Sequence, residues 1–164
     1  MKLVKLVLFS IVALFVIVCF IGILLPSKVL VSRAVNITAD KDSIMPLVRN
    51  IHEWGQWMEG LDNASGQVYS DTHARLGNTE VKIGTVTETS VVSTWVNQKQ
   101  QLQTSSITFI QNPHERLTIV QWQFEQELAW YPWERLGSMM NDKILGTMME
   151  KNLNKLKARA EKNR

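Results

Sequence analysis

The chain has three histidines, the first side chains to test for metal binding or acid–base catalysis. His52, His73 and His114 are far apart, and none lies at metal-ligand spacing from another histidine, a cysteine or a carboxylate. A zinc-binding helix that began with His52-Glu53 would need a second histidine, which is missing here. We therefore predict no metal site and expect three solvated surface histidines.

Other residues that perform catalysis are also poorly placed. The only cysteine, Cys19, lies inside a long apolar segment, and no serine has a nucleophile-elbow setting. Asp40 and Asp42 are close together, but a capping role at the start of a helix explains them better than acid–base work. The glycines are too scattered to bind a phosphate. We predict no catalytic residue and no cofactor, and the question of enzymatic activity stays open.

Soft apolar side chains are the more informative group. Four of the seven methionines, Met139, Met140, Met148 and Met149, fall within eleven residues near the C-terminus. Methionine is flexible and polarisable, so it fills irregular gaps in a core and also lines sites that accept ligands of different shape. The sequence leaves both interpretations open, because heptad-like spacing is compatible with each.

The N-terminal segment is a candidate membrane anchor. Leu3 to Leu25 contains one charge, Lys5, and otherwise almost only apolar residues. A segment of this length spans a hydrocarbon core of roughly 30 Å, whereas a cleavable signal peptide has a shorter apolar run followed by small residues. The residue before Cys19 is too large for the usual lipoprotein signal. We predict an uncleaved anchor at residues 1–27 and one domain at residues 28–164.

The orientation of this anchor is less strongly indicated. Lys2 and Lys5 flank one end and Lys28 and Arg33 flank the other, so the positive-inside bias is nearly balanced. The very short N-terminal tail favours an N-in arrangement. We expect a single-pass protein, in a bacterial inner membrane, with its domain exported.

Charge is unevenly distributed along the chain. Residues 28–150 carry ten basic and fourteen acidic side chains, whereas residues 151–164 carry six basic and one acidic side chain. The basic tail fits a solvated helix end, whose cations suit the C-terminal pole of the macrodipole. Contact with anionic headgroups is the alternative. No aromatic residues are interleaved with these cations, and we predict no nucleic-acid binding.

The remaining sequence alternates between strand and helix patterns. Asp40 or Thr38 can cap an amphipathic helix through Ile44 and Ile51, which Pro46 should bend or delay. A short helix follows at Glu53–Trp57. Alternation and turn signals predict strands at Val29–Thr38, Gln67–Asp71, Thr72–Leu76, Thr79–Thr89, Val91–Lys99, Thr104–Gln111 and Arg116–Gln126.

The last predicted element is one long helix from Trp133 to about Lys162. Its expected apolar stripe consists of Trp133, Leu136, Met140, Ile144, Met148, Leu153 and Leu156. The element order predicts an α+β fold: a curved antiparallel sheet of six or seven strands, two short helices, and one long C-terminal helix over the sheet. The N-terminal transmembrane helix precedes it.

Three stretches give the chain a family resemblance. Ile51, Trp54 and Trp57 fit a leucine-x-x-tryptophan-x-x-tryptophan pattern, with isoleucine in place of leucine. VQWQF fits an alternating late strand, and Gly146 and Glu150 begin a glycine-x-x-x-glutamate-lysine-x-leucine-x-x-leucine pattern. From Val29 onward the chain resembles the START-related SRPBCC superfamily with the helix-grip fold, especially its membrane-anchored, polyketide cyclase/dehydrase-like bacterial members.

The resemblance implies a cavity between the sheet and the long helix that holds a hydrophobic or amphipathic small molecule. A polar pair at its mouth, His73 and Arg75, would orient the ligand's head. The full set of expected ligand contacts is Trp57, His73, Arg75, Trp95, Phe109, Val120, Trp122, Phe124, Met140, Ile144 and Met148. We expect a membrane-tethered binding module for a lipid-like ligand. The alternatives are a cyclase- or dehydratase-type enzyme and a scaffold with a collapsed cavity that binds a membrane partner.

Overall fold

The computed structural model describes residues 2–59, 61, 66–98, 100–111, 115–129 and 131–162, with the side chains of residues 2, 136 and 138–142 left undescribed. The helices are α1 (Lys2–Leu24), α2 (Lys41–Arg49), α3 (Ile51–Trp54) and α4 (Pro132–Lys162). The strands are β1 (Lys28–Ile37), β2 (Gly66–Ser70), β3 (His73–Leu76), β4 (Thr79–Val86), β5 (Ser90–Val96), β6 (Leu102–Gln111) and β7 (Thr118–Glu127).

The seven strands form one antiparallel sheet in the order β1-β7-β6-β5-β4-β3-β2. All neighbours from β7 to β2 are hairpin-connected in sequence, and β1 joins the free edge of β7. Buried residues alternate with half-buried or exposed ones along β5, β6 and β7. This one-sided pattern buries one face of the sheet under the helices. The α+β fold predicted from the element order is confirmed.

Antiparallel pairing gives the sheet two distinct ends. We call one the α1 end, because β1 begins there directly after α1. Its residues, taken across the sheet, are Lys28, Glu127, Leu102, Val96, Thr79 and Leu76. The strands end on the opposite side, which we call the far end, at Ile37, Thr118, Gln111, Ser90 and Val86.

The helices α2 and α3 meet at Asn50, where the backbone becomes extended. The Asn50 side chain accepts a hydrogen bond from the His52 N–H and caps α3. Pro46 is accommodated inside α2, which runs unbroken from Lys41 to Arg49. The prediction that the first helix continues to Ile51 is therefore wrong. The helix ends at Arg49, and Ile51 begins α3, because Asn50 is extended and caps the second helix.

The long helix α4 faces the sheet with a stripe that agrees with the predicted one at Leu153 and Leu156 but differs from it nearer the start of the helix. The buried residues among the described side chains of α4 are Pro132, Gly146, Met149, Asn152, Leu153, Leu156 and Ala160. Trp133 and Ile144 were expected in this stripe, but they are 61% and 70% exposed.

The reason for this rotation lies at Gly146. A Cβ at this position would overlap the Nη2 atom of Arg33 on β1. Arg33 passes over the bare glycine backbone and its Nε donates to Glu150 Oε1 at 2.7 Å. Because the helix rests on this guanidinium, Met149 rather than Met148 points into the core.

Candidate functional site

A cavity of about 420 Å³ lies between α4 and the buried face of the sheet. Its floor is built from inward-facing residues of five strands, β3 to β7, and its roof from α4 and the segment that follows α3. The described lining residues are Met58, Glu59, Leu76, Gly77, Thr79, Trp95, Gln103, Trp122, Phe124, Leu145, Met148 and Asn152. The volume is within the roughly 300–1,000 Å³ range of small-molecule sites.

An aromatic cluster forms the inner wall of this cavity. Trp95 stacks on Trp54 at 6.1 Å between ring centroids and meets Phe124 edge-on at 5.3 Å. Trp122 contacts Trp57 edge-on at 6.0 Å. Such ring pairs add about 0.5–1.5 kcal/mol beyond their buried area. The wall is therefore rigid on the sheet side.

The polar atoms of these indoles are satisfied by fixed partners. Trp54 and Trp57 donate to the Val48 and Leu47 carbonyl oxygens at 2.7 Å and 2.9 Å, the last turn of α2. Trp122 donates to Ser105 Oγ at 2.7 Å. Buried N–H groups need such partners. The wall consequently presents ring faces and edges, rather than donors, to the cavity.

Asn152 is the polar exception in the roof. It is 1% exposed, and its Oδ1 accepts a hydrogen bond from the Glu59 N–H at 3.1 Å. That bond fixes the orientation of the amide, so Nδ2 is the remaining donor. Among the described residues, none accepts a hydrogen bond from Nδ2. A buried unpaired donor costs about 1–3 kcal/mol, so a ligand that supplies an acceptor here gains affinity.

Glu59 ties the segment after α3 to α4. Its carboxylate accepts from Lys151 Nζ at 2.7 Å and from Lys155 Nζ at 3.3 Å. The hydrogen bond from Lys151 is the main reason why the pKa of Glu59 lies below its ordinary value, with Lys155 adding to it and burial opposing it. These contacts hold Met58 and Glu59 in place over the cavity.

Four of the expected ligand contacts line this cavity: Trp95, Trp122, Phe124 and Met148. Trp57, Phe109 and Val120 are buried in the surrounding core and are not among the lining residues. The side chain of Met140 lies outside the described residues. The methionines were expected either to fill the core or to line a ligand site, and the structure has one of each. Met149 is fully buried in the core, whereas Met148 is 37% exposed and lines the cavity.

His73, Arg75 and Ile144 lie away from the cavity. His73 and Arg75 alternate along β3 with buried Ala74 and cavity-lining Leu76, so they occupy the opposite face of the sheet. His73 Nε2 contacts Glu80 Oε1 at 2.6 Å. These three residues are therefore not part of the candidate site.

Sequence reasoning missed eight lining residues: Met58, Glu59, Leu76, Gly77, Thr79, Gln103, Leu145 and Asn152. Asn152 carried a usable signal, because it falls three and four residues after Met149 and Met148 in an otherwise apolar stripe. Gln103 had one too, since it shares a strand face with Ser105 and Phe109. Met58 and Glu59 had none, because the turn that places them is set by tertiary contacts.

Solved structures settle the fold. A protein from Nitrosospira multiformis matches with a TM-score of 0.65 at 14% identity, covering 83% of this chain and all of its own. A START superfamily protein from Mycobacterium smegmatis matches with a TM-score of 0.62 at 15% identity, covering 82% and 99%. This chain has the START-like fold.

A third neighbour is the di-domain ARO/CYC protein BexL from the BE-7585A biosynthetic pathway. Its TM-score is 0.60 at 14% identity, and the match covers 82% of this chain and 50% of BexL. No family model and no curated protein matches the chain. The resemblance to START-related and polyketide cyclase-like proteins is thus confirmed at the level of fold.

Proposed function

We propose that this protein is a membrane-tethered binding module for a hydrophobic or amphipathic small molecule, held in the cavity under α4. Its lining combines the Trp95, Trp122 and Phe124 rings with the pliable Met148 side chain. The observation that carries the proposal is Asn152 Nδ2, a buried donor without a described partner at a mostly apolar cavity. Ligand sites typically pair such a lining with a few polar groups.

This donor narrows the ligand's chemistry. A carbonyl or hydroxyl oxygen at one end of the ligand would accept from Asn152, while the rest of the molecule would contact the aromatic wall. About 420 Å³ is in the lower half of the usual range for ligand sites. The size therefore favours one acyl chain or a compact ring system over a two-chain lipid.

The tether in this proposal is α1, with residues 1–27 as anchor and residues 28–164 as binding domain. Leu3–Leu24 is long and apolar enough to cross a membrane, although a signal sequence passes the same test. Contacts between α1 and the domain favour retention: Arg135 Nη1 donates to the Gly22 and Leu25 carbonyl oxygens at 2.8 Å and 2.7 Å. We also propose that the domain is exported, because Lys2 and Lys5 at the other end of α1 favour a cytoplasmic N-terminus.

Binding is better supported than catalysis. Among the described lining residues, Glu59 is the one ionisable side chain, and its carboxylate is engaged by Lys151 and Lys155. A catalytic acid or base needs a shifted pKa suited to proton transfer near neutral pH, and the pKa of Glu59 is lowered instead. Among the described lining residues, Glu59 would be the one acid or base available to a cyclase- or dehydratase-type activity.

Native mass spectrometry of the full chain, purified in detergent from the producing cells, tests the proposal. We expect a co-purifying small-molecule mass that is lost in Met148→Trp, whose indole would fill the cavity. Ile144→Trp is the matched control, because Ile144 is 70% exposed on the same helix outside the cavity. Equal retention of the bound mass in both variants, or no bound mass in the wild type, would contradict ligand binding at this site.

A further inference from the structure

The position of the cavity within the sheet indicates where its ligand comes from. Leu76, Gly77 and Thr79 lie at the turn between β3 and β4, and this turn belongs to the α1 end. Gln103 pairs with Gln126, one residue from the pair Lys28–Glu127. The register therefore places much of the cavity floor at the end of the sheet from which α1 emerges.

The helix α1 is fixed to this end by short contacts. Leu128 N–H donates to the Ser27 carbonyl oxygen at 2.8 Å, which extends the pairing of β1 with β7 toward α1. A Cβ on Gly22 would come within 2.6 Å of Pro132 Cβ, so α1 and the start of α4 pack backbone to ring. Arg135 then satisfies carbonyl groups that the end of α1 leaves open.

Large apolar side chains are exposed around the same end. Trp133 and Tyr131 are 61% and 38% exposed, and their rings stack at 5.1 Å between centroids. Leu102, at the first position of β6, is 59% exposed, and Leu30, near the start of β1, is 60% exposed. Tryptophan and tyrosine favour the headgroup region of a bilayer. These residues fit the surface of the membrane that would hold α1.

The charges at this end are compatible with that contact. Lys28 Nζ lies 3.0 Å from Glu125 Oε1 and 3.2 Å from Glu127 Oε1. The lysine thus compensates the Glu125 and Glu127 carboxylates beside the start of β1, and their hydrogen bonds raise the pKa of Lys28. The basic tail is at the other end, where Glu161 Oε1 accepts from the Thr38 N–H just beyond β1. Its location favours a solvated helix end over headgroup contact.

We infer that the α1 end of the domain rests on the bilayer and that the cavity opens toward it, so that the ligand is a membrane-resident amphiphile that passes directly between bilayer and cavity. This inference rests on the proposed tether and binding site. Asn152 is 1% exposed and Met148 37%, so Asn152 lies deeper in the site. The polar group of the amphiphile accordingly enters first, and its apolar part follows from the membrane side.

Fluorescence quenching of the full chain in vesicles tests this geometry. In a Cys19→Ser background, a fluorophore is attached to Asn78→Cys in the β3–β4 turn or to Glu88→Cys in the β4–β5 turn, both exposed. The two turns flank β4, whose eight residues place them roughly 26 Å apart. The vesicles are phosphatidylcholine with or without a nitroxide-headgroup lipid. We expect loss of fluorescence at residue 78 and none at residue 88.

Equal quenching at both positions, or stronger quenching at residue 88, would overturn the inference. Combining Gly22→Leu with Arg135→Ala should reduce the quenching at residue 78, because it removes the contacts that hold α1 against α4. A co-purifying ligand without quenching at residue 78 would refute the membrane-facing mouth alone. Quenching at residue 78 without any ligand would refute the binding proposal and leave the domain's placement intact.

Discussion

The far end and the α1 end of the sheet contact the same helix in different ways. At the far end, Leu156 and Ala160 of α4 belong to a closed core together with Ile37 and Ile44. At the α1 end, Leu145 and Met148 stand over a cavity of about 420 Å³. The side chains beneath the helix differ: the rings of Trp95, Trp122 and Phe124 line the cavity, whereas aliphatic side chains pack against the helix at the far end. The same helix therefore covers the cavity with its middle turns and closes the core with its last turns.

The largest expected effect on stability comes from removing a buried ring between the cavity wall and the core. Trp57 is 1% exposed and contacts both Trp54 and Trp122. Trp57→Ala should lower the free energy of unfolding by about 3–5 kcal/mol, because a large cavity replaces the indole. Thermal unfolding of the full chain in detergent, followed by near-ultraviolet circular dichroism, measures the loss. Trp133→Ala, at a 61% exposed position, should change stability little.

A second substitution changes the cavity without changing the closed core at the far end. Asn152→Leu removes the Nδ2 donor together with the Oδ1 acceptor of the Glu59 N–H, and it should reduce ligand retention about tenfold, since a hydrogen bond to a buried group is worth about 1–3 kcal/mol. Native mass spectrometry at equal protein concentration measures the retained fraction. Asn154→Leu, two residues on and exposed, is the matched control. Unchanged retention in Asn152→Leu would show that the amide does not contact the ligand.

The helix rotation can be tested at Gly146. Gly146→Ala places a methyl group against the Arg33 guanidinium and should destabilise the domain by about 1 kcal/mol, because overpacking outweighs the gain in helix propensity. Gly137→Ala has nothing within 4 Å of the added Cβ and should be neutral or stabilising. Chemical unfolding of both variants measures whether each substitution raises or lowers the free energy of unfolding. A stabilising Gly146→Ala would mean that Arg33 moves aside without loss.

The smallest expected effect concerns the ion pairs of Glu59 with Lys151 and Lys155 beside the cavity. The folded-state pKa of Glu59 lies below its ordinary value of 4.5, so its stabilising contribution is present above that pH and is lost as the pH falls through the lowered pKa. Glu59→Gln should therefore lower the melting temperature near neutral pH, and the difference from wild type should shrink in acid. A difference that stays constant from pH 6 to pH 3 would contradict the pairing with Lys151 and Lys155.

Much of the fold was predictable because its signals are local. Alternation of apolar residues marked β5, β6 and β7, turn residues marked the hairpins, and the spacing after Pro132 marked α4. The break at Asn50 and the rotation of α4 were harder to predict. Both depend on particular contacts, an amide cap in one case and Arg33 passing over Gly146 in the other, and neither contact follows from periodicity.

The site was less predictable than the fold. Trp95, Trp122 and Phe124 could be assigned to the cavity wall because alternation places them on the buried face. His73 and Arg75 were placed by their polarity near a mouth, but the strand's own alternation puts them on the outer face. Residues such as Gly77 and Thr79 reach the cavity through strand pairing, which a single sequence does not determine.

The link between α1 and β1 consists only of Leu25–Ser27. Fully extended, such a segment spans roughly 10 Å, which is less than half the length of β4 alone. In the proposed arrangement the domain cannot swing across to an opposing bilayer as a long-distance shuttle would. Its ligand would instead return to the same leaflet or pass to a partner that docks beside the domain, so the protein would present its ligand at a fixed position.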